Sequence, residues 1–307
     1  MAWLGRKQIN KKNRLTLLEQ PMNRFVIPVV TAFALAGRLT IASPIPEDAK
    51  IAGFGVGSQA YTFNRFSVFE AIEKTAQAGG KLIEFFPGQK LSVEEPNVKW
   101  DHNSPDEVMQ KVKDQLAKFK IRAVNYGVVG GRGEAEWRKI FEFAKKLDLY
   151  GITTESVGDL DIIEKLVKEF DIRVGIHEHG RRPDDPNYKV WDPNYVLSVV
   201  KDRDARIGAC ADTGHWATSG IKPLDGLRIL KGRVISCHLK DRPEIGAQKP
   251  DTIYGTGVSD VAGMLDELKK QGFEGNISIE YENNWDHSMP DVAQCVGFIR
   301  GWGARRR

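Results

Sequence analysis

The chain has 307 residues, of which 41% are hydrophobic, 28% charged and 9% aromatic, with 30 Gly and 14 Pro. This is the composition of a soluble globular protein and excludes a disordered chain, a collagen and a coiled coil. The length accommodates either one large α/β barrel or two smaller domains. The formal charge of +4 sits at the ends: residues 1–38 hold seven bases against Glu19 alone, and Arg305, Arg306 and Arg307 add three more. That leaves 35 basic and 40 acidic residues, a net −5, between residues 39 and 304. A negative body is the opposite of a phosphate-binding footprint, so nucleic acid is excluded as the main partner.

In chain order, Met22-Asn23-Arg24, the apolar run Phe25 to Ala36 and the small residues through Ala42-Ser43 have the layout of a signal segment, with Met22 as an alternative start. Pro28 and Arg38 weaken the run, and the competing reading is a floppy basic tail. The run is too short for a stable membrane span. The first reading predicts an exported protein, periplasmic or secreted, and the second a cytoplasmic one. Residues 1–50 are read as an N-terminal extension ending in the linker Pro44-Ile45-Pro46, residues 51–303 as one folded domain, and 304–307 as a basic tail.

Within that domain one pattern recurs eight times: a short apolar or β-branched run, a loop with Gly or Asp, then a helical segment. The expected strands are Phe54 to Phe63, Lys81 to Pro87, Ile121 to Val129, Gly151 to Ser156, Arg173 to His179, Ile207 to Asp212, Val234 to Lys240 and Asn276 to Glu282. The clearest helices are Ser67 to Ala78, Pro105 to Phe119, Glu134 to Leu147, Leu160 to Phe170 and Ser259 to Gln271, with apolar residues three and four apart. Asp159 and Ser259 are expected N-caps, and Gly79 and Gly272 expected stops. Eight βα repeats with no break in composition predict a single closed (β/α)8 TIM barrel. Cys210, Cys237 and Cys295 are spaced as ordinary buried thiols, matching neither a disulfide framework nor a CxxC zinc site.

A barrel of this kind carries its chemistry at the C-terminal strand ends. Glu155 ends the fourth strand, His177 and His179 the fifth, and Asp212 the sixth, with His215 just beyond. His238 and Lys240 end the seventh and Glu280 and Glu282 the eighth, so four of the six histidines fall in this set. Strand alternation puts His177 with His179, His238 with Lys240, and Glu280 with Glu282 on common faces. Converging carboxylates and imidazoles are most simply held together by a divalent cation, with Mn²⁺, Mg²⁺, Co²⁺ or Zn²⁺ suiting mixed oxygen and nitrogen donors.

At these residues the chain resembles the xylose isomerase-like barrel family, over about residues 52–302. The motifs that carry the resemblance are Ile-Thr-Thr-Glu155-Ser, Ala-Asp212-Thr-Gly-His, His238-Leu-Lys-Asp and Ile-Glu280-Tyr-Glu. The family includes sugar phosphate isomerases/epimerases, tagatose 3-epimerase, hydroxypyruvate isomerase and inosose dehydratase. The resemblance implies one divalent metal, Mn²⁺ first among the four, held by Glu155, Asp212, His238 and Glu280. It also implies that Glu155 and Glu280 act as the acid/base pair and that His177, His179 and His215 orient substrate. Lys240 is either a donor to a developing oxyanion or an exposed loop lysine. Arg242 is expected to contact a phosphate or hydroxyl, with Glu84 and Tyr61 on the same rim.

Phe85-Phe86, Trp216 and Trp285 are expected either to wall a sugar ring or to pack. Gly130-Gly131-Arg132-Gly133 and Gly255-Thr256-Gly257 are read as turns, not nucleotide cradles. The function expected is sugar isomerisation or epimerisation through an enediolate, on a small-molecule ketose or keto-sugar. A lyase or dehydratase acting on an inosose or 3-keto-glycoside is the alternative, and a non-catalytic carbohydrate-binding barrel the third reading. A homo-oligomer is compatible with the sequence.

Overall fold

The computed structural model describes residues 45–306, so the signal-like segment and the start at Met22 lie outside the described residues. Eight strands form the central sheet: Phe54–Gln59 (β1), Leu82–Phe85 (β2), Arg122–Tyr126 (β3), Gly151–Thr154 (β4), Arg173–His177 (β5), Ile207–Asp212 (β6), Val234–Leu239 (β7) and Asn276–Ile279 (β8). They pair in parallel in the order β1-β8-β7-β6-β5-β4-β3-β2, and β1 also pairs with β2, which closes the ring. This is the expected TIM barrel. Nearly every strand residue is buried, because side chains of one parity fill the barrel and those of the other meet the surrounding helices.

The helices are Val68–Gln77 (α1), Asp106–Phe119 (α2), Gly133–Lys146 (α3), Leu160–Phe170 (α4), Pro193–Val200 (α5), Thr213–Thr218 (α6), Pro223–Ile229 (α7), Val261–Lys270 (α8) and Met289–Ala304 (α9). The start of α1 is fixed by reciprocal capping: the Glu70 amide donates to Ser67 Oγ at 3.2 Å, and the Ser67 amide donates to Glu70 Oε2 at 2.8 Å. Gly79 and Gly272 follow their helices with φ of +83° and +69°, as expected for helix stops. The expected caps differ. The Asp159 carboxylate accepts from Trp137 Nε1 instead of capping α4. The cap of α8 is Asp260, which accepts from the Gly263 amide, while Ser259 Oγ accepts from the Arg242 amide.

Two boundaries also depart from expectation. Several strands end two to four residues early, because past the barrel rim the chain has no parallel neighbour and turns to line the mouth; Ala60–Phe63 is a 3-10 turn. At the other end of the barrel, residues expected in the extension, Ile45 and Ala49 among them, pack against the strands. Ile45 is 4% exposed and packs with Ala49, Leu82, Val124, Tyr150 and Ile235. Lys50–Ile51 pairs antiparallel with β1. Ile45, expected in a linker, therefore plugs the barrel floor. The three cysteines are free and buried, and Arg306 of the expected tail is tied to Asp266.

Candidate active site

The pocket at the C-terminal strand ends encloses about 380 Å³. Glu155, His177, His179, His215, Glu280 and Glu282 line one part of it. Tyr61, Phe86, Pro87 and Val128 form an apolar part. The Tyr61 ring meets Phe86 and Trp285 edge-on. Phe85 and Trp216, the other aromatic candidates, are fully buried in the packing.

Beneath the pocket, strand register brings the donors together. His238 on β7 is level with Asp212 on β6 and Ser278 on β8. Ligand atoms of His177, Asp212, His238 and Glu280 all lie within 4.8 Å of one another. Asp212 Oδ2 is 3.5 Å from His177 Nε2 and 3.7 Å from His238 Nδ1, and Glu280 Oε2 is 3.3 Å from His238 Nδ1. Two of these buried atoms, His177 Nε2 and His238 Nδ1, make no hydrogen bond, and Asp212 Oδ2 beside them has only ion-pair contacts, the shortest 3.0 Å to Lys240 Nζ. Orphaned donor atoms aimed at one point are the signature of a cation position, so the residues fit a divalent ion.

Glu155, expected as a ligand, lies outside this mutually close group. Its Oε1 is 3.3 Å from His177 Nδ1, so the His177 imidazole stands between it and Asp212. Strand alternation shows that His177 and His179 face inward but not their depth. His177 is the last paired residue of β5, and His179 lies beyond the strand at the pocket.

Lys240 is not an exposed loop lysine. It is fully buried, with Nζ 2.6 Å from Glu280 Oε2 and 3.0 Å from both Asp212 Oδ2 and Glu282 Oε1. Its stem runs over Gly214, where a Cβ would come within 2.4 Å of Lys240 Cδ; only glycine fits there. Arg242 does not reach the pocket. Its guanidinium is buried, 2.9 Å from Asp251 Oδ1, because the loop after β7 folds back over it. Glu84 is likewise absent from the rim, lying fully buried inside the barrel with Oε1 3.0 Å from His238 Nε2. The second glycine-rich segment is a turn, with the Gly255 and Gly257 amides donating to Asp241 Oδ2.

The loop after β5 carries no local sequence signal of a role at the site. Tyr188 there donates its hydroxyl to Glu155 Oε2 at 2.8 Å, and Arg182, stacked on the Tyr188 ring, lies 3.8 Å from the same oxygen. No periodicity marks such a return contact.

The charges follow from these neighbours. Burial disfavours the imidazolium of His177, but the Asp212 and Glu155 carboxylates outweigh it and lift its pKa to about 9. Burial pushes His215 well below its ordinary value and lowers His179, so both rings are neutral at neutral pH. Burial opposes ionisation of Asp212 and Glu280, yet the neighbouring cations, Lys240 among them, hold both low. Glu155 is also lowered, with His177 and Tyr188 overcoming its burial.

The xylose isomerase-like TIM barrel family model matches residues 61–300, and the chain belongs to this family. A solved structure of a putative uncharacterized protein from Parabacteroides distasonis is 30% identical, with a TM-score of 0.64, covering 80% of this chain and 98% of that one. A D-allulose 3-epimerase from Methylomonas sp. shares the fold at 16% identity and a TM-score of 0.63, covering 80% of this chain and 97% of that one. An uncharacterized protein of Methanocaldococcus jannaschii is 26% identical over 137 residues, which span 43% of this chain and only 44% of that protein. Among the described residues no helix is long and apolar enough to cross a membrane.

Proposed function

We propose that the protein is a divalent-metal-dependent sugar isomerase or epimerase that moves a proton on a ketose or related keto-sugar. One observation carries this reading. Glu155 follows β4 and Glu280 follows β8, which lie on opposite sides of the eight-strand ring, and both carboxylates line one pocket above the converging donors. His177, Asp212, His238 and Glu280 would hold the ion, Mn²⁺ first and Mg²⁺, Co²⁺ or Zn²⁺ as alternatives; when bound, it would polarise a substrate carbonyl and acidify the adjacent C–H.

The remaining work falls to side chains. Glu155, ionised and oriented by Tyr188, takes the proton from one face of the sugar carbon. Glu280, ionised at rest, draws a proton from solvent in the pocket and delivers it to the opposite face, while Glu155 releases the proton it took back to solvent. Neutral His179 and His215 hold substrate hydroxyls and the developing enediolate oxygen. Lys240, buried against Glu280, balances the negative charge that develops beside it. Tyr61 and Phe86 cover the apolar face of the sugar. Among the described residues, those lining the pocket include three carboxylates and no Lys or Arg, which favours a neutral sugar over a phosphorylated one.

Replacing Glu280→Gln tests the assignment. The variant is expected to fold and to lose turnover, because no group remains to protonate the opposite face; wild-type turnover would refute the pairing of Glu155 with Glu280.

A further inference from the structure

We propose that Glu84 is a positioning residue that fixes the tautomer of His238 and so presents Nδ1 as a lone pair to the cation position. This rests on the metal-dependent reading above. Glu84 is fully buried on β2, and its carboxylate reaches side chains of β4, β7 and β8. Oε1 lies 3.1 Å from Thr153 Oγ1 and 3.0 Å from His238 Nε2, and Oε2 lies 2.6 Å from Ser278 Oγ and 3.3 Å from Asn276 Nδ2.

The direction of each bond can be followed outward. The Tyr126 amide donates to Asn125 Oδ1, so Asn125 Nδ2 donates to Thr153 Oγ1. With that lone pair taken, the Thr153 hydroxyl proton points to Glu84. Asn276 Nδ2 lies between Ser278 Oγ and Glu84 Oε2 and donates to both, and the Ser278 proton points to Glu84. Both carboxylate oxygens are thus acceptors, and a carboxylate has nothing to donate to an imidazole. His238 Nε2 must therefore carry a hydrogen. In the neutral ring Nδ1 is then the lone pair, and Nδ1 is the atom that faces Glu280 and Asp212 without a hydrogen bond. A carboxylate behind a ligating imidazole sets both ring orientation and basicity.

The test uses the full chain loaded with Zn²⁺ alone. Long-range ¹H–¹⁵N NMR of [¹⁵N]histidine protein, with His238 assigned by its loss in His238→Gln, is expected to show Nε2–H and an unprotonated Nδ1. Glu84→Gln places an amide donor among groups that all donate, and is expected to weaken Zn²⁺ affinity, read by chelator competition, by roughly 10- to 100-fold. Ser278→Ala removes a different bond to the same carboxylate and is expected to leave Zn²⁺ affinity within about threefold of wild type; a purely structural role for Glu84 would make the two variants alike. An Nδ1–H tautomer in the wild type, or unchanged affinity in Glu84→Gln, would overturn the inference while leaving the metal site intact. No Zn²⁺ uptake by the wild type would overturn both. If Glu84→Gln does not fold, the wild-type tautomer decides.

Discussion

Replacing Lys240→Met keeps most of the apolar stem and deletes the ammonium from the centre of the site. Nζ lies within 3.0 Å of three carboxylates, two of them on Asp212 and Glu280 and almost wholly buried. At an effective dielectric of about 20, one pair at 3 Å is worth about 5–6 kcal/mol before desolvation is counted. Desolvation cancels much of this in the intact site. In the variant, however, the carboxylates stay buried with less positive charge, and breaking a buried pair in this way costs about 3–5 kcal/mol. For a domain of this size that corresponds to a fall in Tm of roughly 6–20 °C. Thermal unfolding by circular dichroism in chelator-treated protein reads the loss directly. Added Mn²⁺ is expected to restore most of it, since a divalent ion supplies the missing charge to the same oxygens. A metal-free loss below about 1 kcal/mol would refute the view that the Lys240 ammonium neutralises the site.

Other consequences are equally open to measurement. The pKa of His177 is raised in the fold to about 9, so the proton it binds stabilises the metal-free protein fully below about pH 6.5, and that contribution is lost as pH rises through 9. Metal-free Tm is expected to fall over this window in wild type and to fall less in His177→Gln. Tyr188→Phe removes the hydroxyl bond to Glu155, and kcat is expected to drop roughly tenfold or more, with an unchanged circular dichroism spectrum. Gly214→Ala puts a Cβ within 2.4 Å of the Lys240 stem and is expected to cost about 1–3 kcal/mol in denaturant unfolding. His238→Ala is expected to abolish stoichiometric metal uptake, measured by elemental analysis after desalting.

The barrel was legible because each strand is a short apolar run followed by a helix with three- and four-residue spacing, a local pattern that survives without neighbours. The inward residues at the strand ends were legible for the same reason, since alternation is local. Depth was not. Whether His177 or Glu155 stands beside Asp212 depends on where each strand stops pairing with its neighbours. Long-range pairings were also silent. Arg242 reads as a rim cation until Asp251 folds back onto it, Glu84 reads as a rim acid until His238 arrives from across the barrel, and Tyr188 carries no local mark at all. The plug at Ile45 was hidden by its two flanking prolines, which read as a linker although the isoleucine between them packs against Gly55.

The most direct test of metal-assisted proton transfer on a sugar is proton NMR of the Mn²⁺- or Mg²⁺-loaded protein in D₂O with unphosphorylated ketoses, inososes and 3-keto-glucosides. Deuterium entering the sugar together with a rearranged ketose or its epimer is the expected result. An unsaturated sugar with a released leaving group would make the protein a lyase that uses the same first proton transfer. No solvent exchange with any of these sugars, in protein shown to carry its metal, would contradict the assignment of Glu155 and Glu280 as its acid and base.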